Sequence, residues 1–116
     1  MKKLYIDIIE IPSGNSLAAT IKSGYRNEYE LVSNPLDADV VVTDSAKYAH
    51  WVLQENRQAV VAIFIMIRQE KFEIQEARFL EMIFSDRVQI CRGQPAKLLR
   101  GEKLLGDFLR EQAQKA

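Results

Sequence analysis

The sequence predicts an α/β domain whose mostly parallel sheet is covered by helices on both faces. Short β-branched runs alternate with longer amphipathic stretches, and this order is typical of parallel strands joined by crossover helices. A length of 116 residues fits one domain, and an apolar share of 47% is enough for a buried core. Residues 1–116 are therefore expected to form a single domain.

The first half of the chain contains three predicted strands and two predicted helices. Residues 4–9 form a β-branched run that ends at a turn containing proline and glycine, which indicates a buried strand. Residues 16–25 place apolar side chains at helical spacing, and residues 28–32 predict a short edge strand. Residues 38–44 form an apolar run flanked by acidic residues, as expected of a parallel strand covered on both faces. Residues 45–56 carry one apolar stripe and predict a crossover helix.

The second half contains two further strands and two further helices. Residues 60–67 predict a buried strand, and residues 87–91 predict a fifth, shorter one. Residues 95–116 predict a last helix that begins at a proline. Residues 69–84 predict the helix between these strands, with four apolar side chains on one face: Phe72, Phe79, Leu80 and Ile83.

Five strands in this alternation predict a flavodoxin-like, doubly wound fold with three layers. In such sheets, ligands bind beyond the carboxyl ends of the strands, where the strand order reverses. That point is expected between the first and third strands. The residues predicted to line a pocket there are Asp7, Glu10, Ser13, Asn15, Ser16, Asp44 and Ser45.

Asp44 stands directly after a buried run, where a side chain reaches the crevice at the end of the sheet. A carboxylate held on such a rigid element could accept a phosphoryl group or bind Mg²⁺. Aspartate is also a preferred N-cap residue, and either Asp44 or Ser45 could cap the next helix. Asp44 is therefore a candidate phosphoacceptor, with helix capping as the alternative.

The residues around Asp44 resemble those of response-regulator receiver domains. Receivers carry their phosphoacceptor aspartate at the end of the third strand, as residues 38–44 do here. Residues 3–7 and the pair formed by Gln94 and Pro95 are similar to further receiver landmarks. The resemblance covers nearly the whole length of the chain.

The chain departs from receivers at three positions of the phosphorylation site, one of which is the end of strand four, where Ile65, Met66 and Ile67 supply no small hydroxyl side chain. Receivers have an acidic pair after strand one to bind Mg²⁺, whereas Asp7 is followed here by Ile8. Receivers also have a lysine before the late proline, whereas Gln94 occupies that position here. The resemblance thus implies a degenerate receiver, or pseudo-receiver, that lacks the Mg²⁺-dependent phosphorylation switch.

The receiver resemblance implies a small cytoplasmic domain of two-component signal transduction that regulates a protein partner by direct contact. We expect no catalytic residues, no cofactor and no metal. A second resemblance, carried by residues 36–43, is to sugar-phosphotransferase IIB domains. It implies a phosphotransferase or small-ligand-binding protein that uses the strand-1 loop and Asp44. IIB domains carry a phosphoacceptor cysteine in that loop, whereas residues 10–16 contain none.

Composition and charge exclude several other classes of function. Sixteen basic and sixteen acidic residues give a net charge of +0, so no global field favours nucleic acid or an anionic membrane. The longest apolar run, residues 59–67, is too short to span a bilayer. A single cysteine, Cys91, and a single histidine, His50, exclude an internal disulfide and Cys-rich or paired-His metal sites. Both are expected to be structural.

The predicted last helix carries more apolar side chains than one buried stripe needs. The surplus is expected to face a protein partner or a second copy of the chain. Leu105 and Phe108 are the candidate residues of that face. Receiver-like proteins commonly pair through their fourth and fifth helices, so the resemblance also implies a homodimer.

Overall fold

The computed structural model describes residues 1–8, 14–65, 71–93, 98 and 100–115. Strands and helices alternate along most of this chain. The strands are β1 (Lys2–Asp7), β2 (Tyr29–Leu31), β3 (Val40–Thr43), β4 (Val60–Phe64), β5 (Val88–Arg92) and β6 (Glu102–Leu104). The α-helices are α1 (Gly14–Tyr25), α2 (Ala46–Glu55), α3 (Lys71–Phe84) and α4 (Leu105–Gln114).

All neighbouring strands of the sheet are parallel, and the strand order is β2-β1-β3-β4-β5-β6. This confirms the predicted α/β class and is compatible with a flavodoxin-like layout. β1 lies between β2 and β3, so the strand order reverses at the predicted point. The described sheet has six strands rather than the predicted five.

The sixth strand occupies part of the predicted last helix. The prediction of one helix over residues 95–116 is wrong in its first part, because β6 pairs with β5 and α4 begins only after it. Residues 94–97 and 99 lie outside the described residues. Gly101 has a φ of +87°, a left-handed conformation that does not continue a helix, immediately before β6.

A buried ion pair joins β6 to the end of β5. Arg92 donates two hydrogen bonds to the Glu102 carboxylate, from Nε at 2.7 Å and from Nη2 at 3.1 Å. The Arg78 guanidinium of α3 lies 3.5 Å from the same carboxylate. These contacts connect residues far apart in sequence, so no local pattern predicts β6.

The buried strand side chains fall into two apolar clusters, because successive residues of a strand point to opposite faces. Val40 and Val42 belong to the first cluster, which includes side chains of α1 and α4. Val41 and Val61 belong to the second cluster, which includes side chains of α2 and α3. All of β3 is buried, as predicted for a central parallel strand.

The prediction of a dimer face on the last helix is wrong, because Leu105 and Phe108 lie in the core. Leu105 is 5% exposed and Phe108 is 2% exposed, and both belong to the first cluster. The Tyr29 hydroxyl of β2 donates a 2.6 Å hydrogen bond to the Leu109 carbonyl, which holds α4 against the sheet. Burial raises the pKa of Tyr29. The apolar residues of α4 are thus used within the chain.

Other element boundaries differ from the predicted ones by a few residues. β1 begins and ends two residues earlier than predicted, and β4 ends at Phe64. Residues 66–67, the end of the predicted fourth strand, lie outside the described residues. Within the described part of the chain, no helix combines the length and the apolar character that a membrane span requires.

Candidate functional site

The carboxyl ends of β1 and β3 bring two of the predicted pocket residues together. Asp7 ends β1 and pairs in register with Thr43, the last residue of β3. Asp44 follows directly and therefore lies at the same edge of the sheet. Burial raises the pKa of Asp7, and the charge of Asp44 raises it further. The two carboxylates are thus close enough to repel each other.

Ser45 is the N-cap of α2. Its hydroxyl accepts a hydrogen bond from the Tyr48 N–H at 3.2 Å, and its own N–H donates to Thr43 Oγ1 at 3.1 Å. The side-chain cap is therefore supplied by Ser45 and not by Asp44. Asp44 is only 3% exposed and lies buried, together with Thr43 and Ser45, where β3 leads into α2.

Receivers bind Mg²⁺ at this edge through an acidic pair after strand one, and this chain has Asp7 and Ile8 there. Mg²⁺ takes oxygen ligands in octahedral geometry and is usually held by carboxylates. Ile8, which follows Asp7, is buried in the first apolar cluster. Among the described residues, no three His, Cys, Asp or Glu side chains form a group that could hold a metal ion. Glu10, the other acidic residue of the predicted pocket, lies outside the described residues, so the expected absence of a metal stays a prediction.

Three aromatic side chains form a row beside Asp7. The ring centroids of Tyr5 and Tyr48 are 6.4 Å apart, and those of Tyr48 and Trp51 are 5.7 Å apart. Burial, a hydrogen bond with Tyr5 and the charge of Asp7 raise the pKa of Tyr48. The sequence analysis did not include Tyr5 in the site. Its position two residues before Asp7 on β1, and hence on the same face, is the signal that predicts this neighbourhood.

The remaining predicted pocket residues have different outcomes. Ser16 lies in the first turn of α1, is exposed, and accepts a 2.9 Å hydrogen bond at its carbonyl from the Thr20 hydroxyl. Asn15 is the second residue of α1, while Glu10 and Ser13 lie outside the described residues. The structure therefore brings Asp7, Asp44 and Ser45 together, and the full pocket stays a prediction.

A second feature is an open groove of about 440 Å³ between α2 and α3. Its lining residues are Ala46, Lys47, His50, Gln75, Glu76, Phe79 and Leu80. Phe79 lines the groove, and it and two α3 side chains within one helical turn of it are exposed: Phe79 by 55%, Met82 by 72% and Ile83 by 52%. We call these three apolar residues, together with the groove, the α2–α3 surface.

The exposure of Phe79 and Ile83 corrects the prediction that they share the apolar face of Leu80. Among the α3 side chains that the structure describes, Ala77 and Leu80 are buried in the second cluster, and Ile74 and Phe84 pack against it while partly buried. The side chain of Phe72, the fourth member of the predicted face, lies outside the described part. A helix that lies on a sheet buries one stripe of its surface. Phe79 and Ile83 lie outside that stripe, on the side of α3 that faces solvent.

His50 and Cys91 both make structural contacts. The His50 ring packs edge-on against the Phe84 ring, with centroids 6.0 Å apart. Cys91 is buried in β5, and burial raises the pKa of its thiol to about 12. The thiol therefore stays protonated at neutral pH, and a protonated thiol is a poor nucleophile.

Comparisons of the chain with protein-family models, with curated proteins and with solved structures find no match. The resemblance to receiver domains therefore rests on the residues named above. The function has to be inferred from the carboxyl edge of the sheet and from the α2–α3 surface.

Proposed function

We propose that this chain is a receiver-like regulatory domain that acts by direct contact with a protein partner. Its architecture is the flavodoxin-like arrangement of three layers, with helices on both faces of the sheet, and its place is the cytoplasm. The signal passes through the protein contact and not through Mg²⁺-dependent phosphorylation of Asp44. The observation that carries this proposal is the α2–α3 surface.

The α2–α3 surface concentrates the exposed apolar residues of the described chain. Three of the eight large apolar side chains that are exposed among the described residues belong to it. Met82 and Ile83 are three and four residues after Phe79, so the three side chains are neighbours on α3. The largest exposed apolar patch on a monomeric protein is often functional. This concentration supports a role in protein contact.

The carboxyl edge of the sheet supports the second part of the proposal. Asp44 is buried, and Ile8 occupies the position of the second acid of receivers. Without that acid, the edge has fewer of the oxygen ligands that Mg²⁺ needs.

Site-specific photo-crosslinking tests the protein contact. A photoreactive amino acid replaces Phe79 in the full chain expressed in cells, and a control carries it at Leu31, which is 40% exposed on the edge strand β2. We expect irradiation to give a protein adduct from position 79 and little or none from position 31. Equal adducts from both positions, or no protein adduct from position 79, would overturn the proposed contact.

A phosphorylation assay tests whether Asp44 accepts a phosphoryl group in the presence of Mg²⁺. The full chain is incubated with acetyl phosphate and Mg²⁺, and its intact mass is measured. We expect no stable phosphoryl adduct, because Ile8 stands where receivers have the second acid that binds Mg²⁺. An adduct that forms on the wild-type chain and disappears in Asp44→Asn would instead establish Asp44 as a working phosphoacceptor.

A further inference from the structure

We propose that the aromatic row at the carboxyl edge of the sheet binds a small quaternary ammonium ion. The site consists of the rings of Tyr5, Tyr48 and Trp51 and the carboxylate of Asp7. None of these side chains belongs to the α2–α3 surface, so the inference does not depend on the proposed protein contact.

The three rings form one continuous surface, with the Tyr48 ring in the middle. Its centroid lies 6.4 Å from that of Tyr5 and 5.7 Å from that of Trp51, and the ring planes are inclined by 30° and 37°. Trp51 is 43% exposed, and the two tyrosines are partly exposed. The faces of aromatic rings carry negative partial charge and attract cations, and tryptophan does so most strongly. The row therefore presents to solvent a surface that attracts a positive group.

The connection between β2 and β3 does not cover this row. In a doubly wound sheet such a connection is ordinarily a helix, whereas residues 32–39 form only a 3-10 helix at Pro35–Asp37. The side chain of Asn56, just after α2, donates two hydrogen bonds of 2.9 Å to carbonyls of this connection. The connection thus lies at the far end of α2 from Tyr48. β2 also pairs only with the first three residues of β1, so Tyr5 extends beyond the end of β2.

Asp7 adds a negative charge next to the rings. It lies two residues after Tyr5, on the same face of β1. Burial and, less strongly, the charge of Asp7 raise the pKa of Tyr48, so the carboxylate is close to that ring as well. Among the described side chains, no lysine or arginine forms an ion pair with Asp7, and none lies over a ring of the row. A cation bound on the rings supplies Asp7 with a counter-charge that the described part of the chain does not.

The chemistry of these groups selects an alkylated ammonium ion rather than a metal ion. Mg²⁺ and Ca²⁺ take six or more oxygen ligands at short distance, and the faces of the rings supply no oxygen. A quaternary ammonium ion has no N–H group to satisfy, and it binds by contact of its methyl groups with aromatic ring faces. Three rings and a nearby carboxylate match such a cation both in apolar contact and in charge.

Trp51 is the only tryptophan of the chain, so its fluorescence reports binding at the row. The purified full chain is titrated with choline chloride to about 100 mM, while sodium chloride keeps the ionic strength constant. We expect a saturable change in fluorescence with a Kd of about 1–10 mM. Dimethylbutanol, in which carbon replaces the charged nitrogen of choline, should bind at least about 10-fold more weakly. This comparison needs no variant of the chain.

Asp7→Asn removes the charge beside the rings and should weaken choline binding at least about fivefold. Asp86→Asn is the matched control, because this exposed aspartate precedes β5 at the opposite edge of the sheet, and it should leave binding unchanged. Thermal unfolding shows whether both variants are folded.

Three results of these titrations would each overturn the inference: no saturable change with choline, an equal response to dimethylbutanol, or wild-type affinity in a folded Asp7→Asn chain. Phosphatidylcholine vesicles present the same ammonium group on a membrane surface. A response to these vesicles with none to free choline would also overturn the small-molecule ligand. Each of these outcomes leaves the crosslinking test at position 79, and hence the proposed function, unaffected.

Discussion

Helices α3 and α4 use their apolar residues in opposite ways, although both are amphipathic in sequence. α4 buries its three large apolar side chains, whereas α3 leaves three of its own exposed. The buried side chains are Leu105, Phe108 and Leu109, and the exposed ones are Phe79, Met82 and Ile83. The sequence predicted the reverse, with a surplus on the last helix.

The contrast follows from where each helix lies and not from its composition. β6 takes up the residues before Leu105, so α4 is short and its apolar residues share the stripe that meets the first cluster. α3 meets the second cluster through the stripe that contains Ala77 and Leu80, and residues outside it stay in solvent. A large number of apolar side chains on a helix therefore indicates an interface only after the residues that face the core have been identified.

The sharpest test of this contrast replaces one phenylalanine in each helix by glutamate. Phe108→Glu should abolish folding, because it loses about 3–5 kcal/mol of core packing and buries an unpaired carboxylate, against a total stability of about 5–15 kcal/mol. Phe79→Glu should change the free energy of unfolding by no more than about 0.5 kcal/mol. Urea unfolding followed by circular dichroism measures both.

These measurements are made at low micromolar concentration, so that any association does not add to the stability of the wild-type chain. A folded Phe108→Glu chain, or a Phe79→Glu chain that loses as much stability as Phe108→Glu, would contradict the burial difference between the two helices.

The second prediction concerns the ion pair that fixes β6 and hence the start of α4. Glu102→Leu leaves the buried Arg92 guanidinium without this carboxylate and should cost about 3–5 kcal/mol in urea unfolding. Glu111→Leu is the matched control, because it removes the exposed pair with Lys103 and should cost at most about 1 kcal/mol. Similar losses in the two variants would show that β6 does not depend on its buried pair.

The same contrast shows how far the sequence could predict the fold. Residues 40–42 could be placed because burial on both faces leaves a continuous apolar run, which is a local signal. β6 could not, because its pairing depends on an ion pair between residues ten positions apart and on the backbone of Gly101. Hydrophobic spacing does not report such contacts.

One part of the candidate site could likewise be predicted from the sequence, and another part could not. Asp7 and Asp44 could be brought together from the topology, since the ends of adjacent parallel strands share one edge of the sheet. The α2–α3 surface could not be predicted, because the rotation of α3 about its axis decides whether Phe79 faces the core or solvent. That rotation is set by the packing of the whole second cluster.

The smallest expected effect is a change in thermal stability at the carboxyl edge of the sheet. Unlike the effects of the substitutions in α3 and α4, it depends on pH. Burial and Asp44 raise the pKa of Asp7 above its ordinary value of 3.8, so the folded chain binds this proton more tightly than the unfolded chain does. Ionisation of Asp7 therefore lowers the free energy of unfolding as the pH rises through the raised pKa. Asp7→Asn removes this penalty and should raise Tm at pH 7 by at most a few degrees, since Asp7 is only partly buried. The gain should shrink as the pH falls and vanish below about pH 3.8. Asp86→Asn, at an exposed aspartate after α3, should give no such gain. Thermal unfolding across this pH range decides the matter, and a gain that is independent of pH would mean that the carboxylate pair does not cause it.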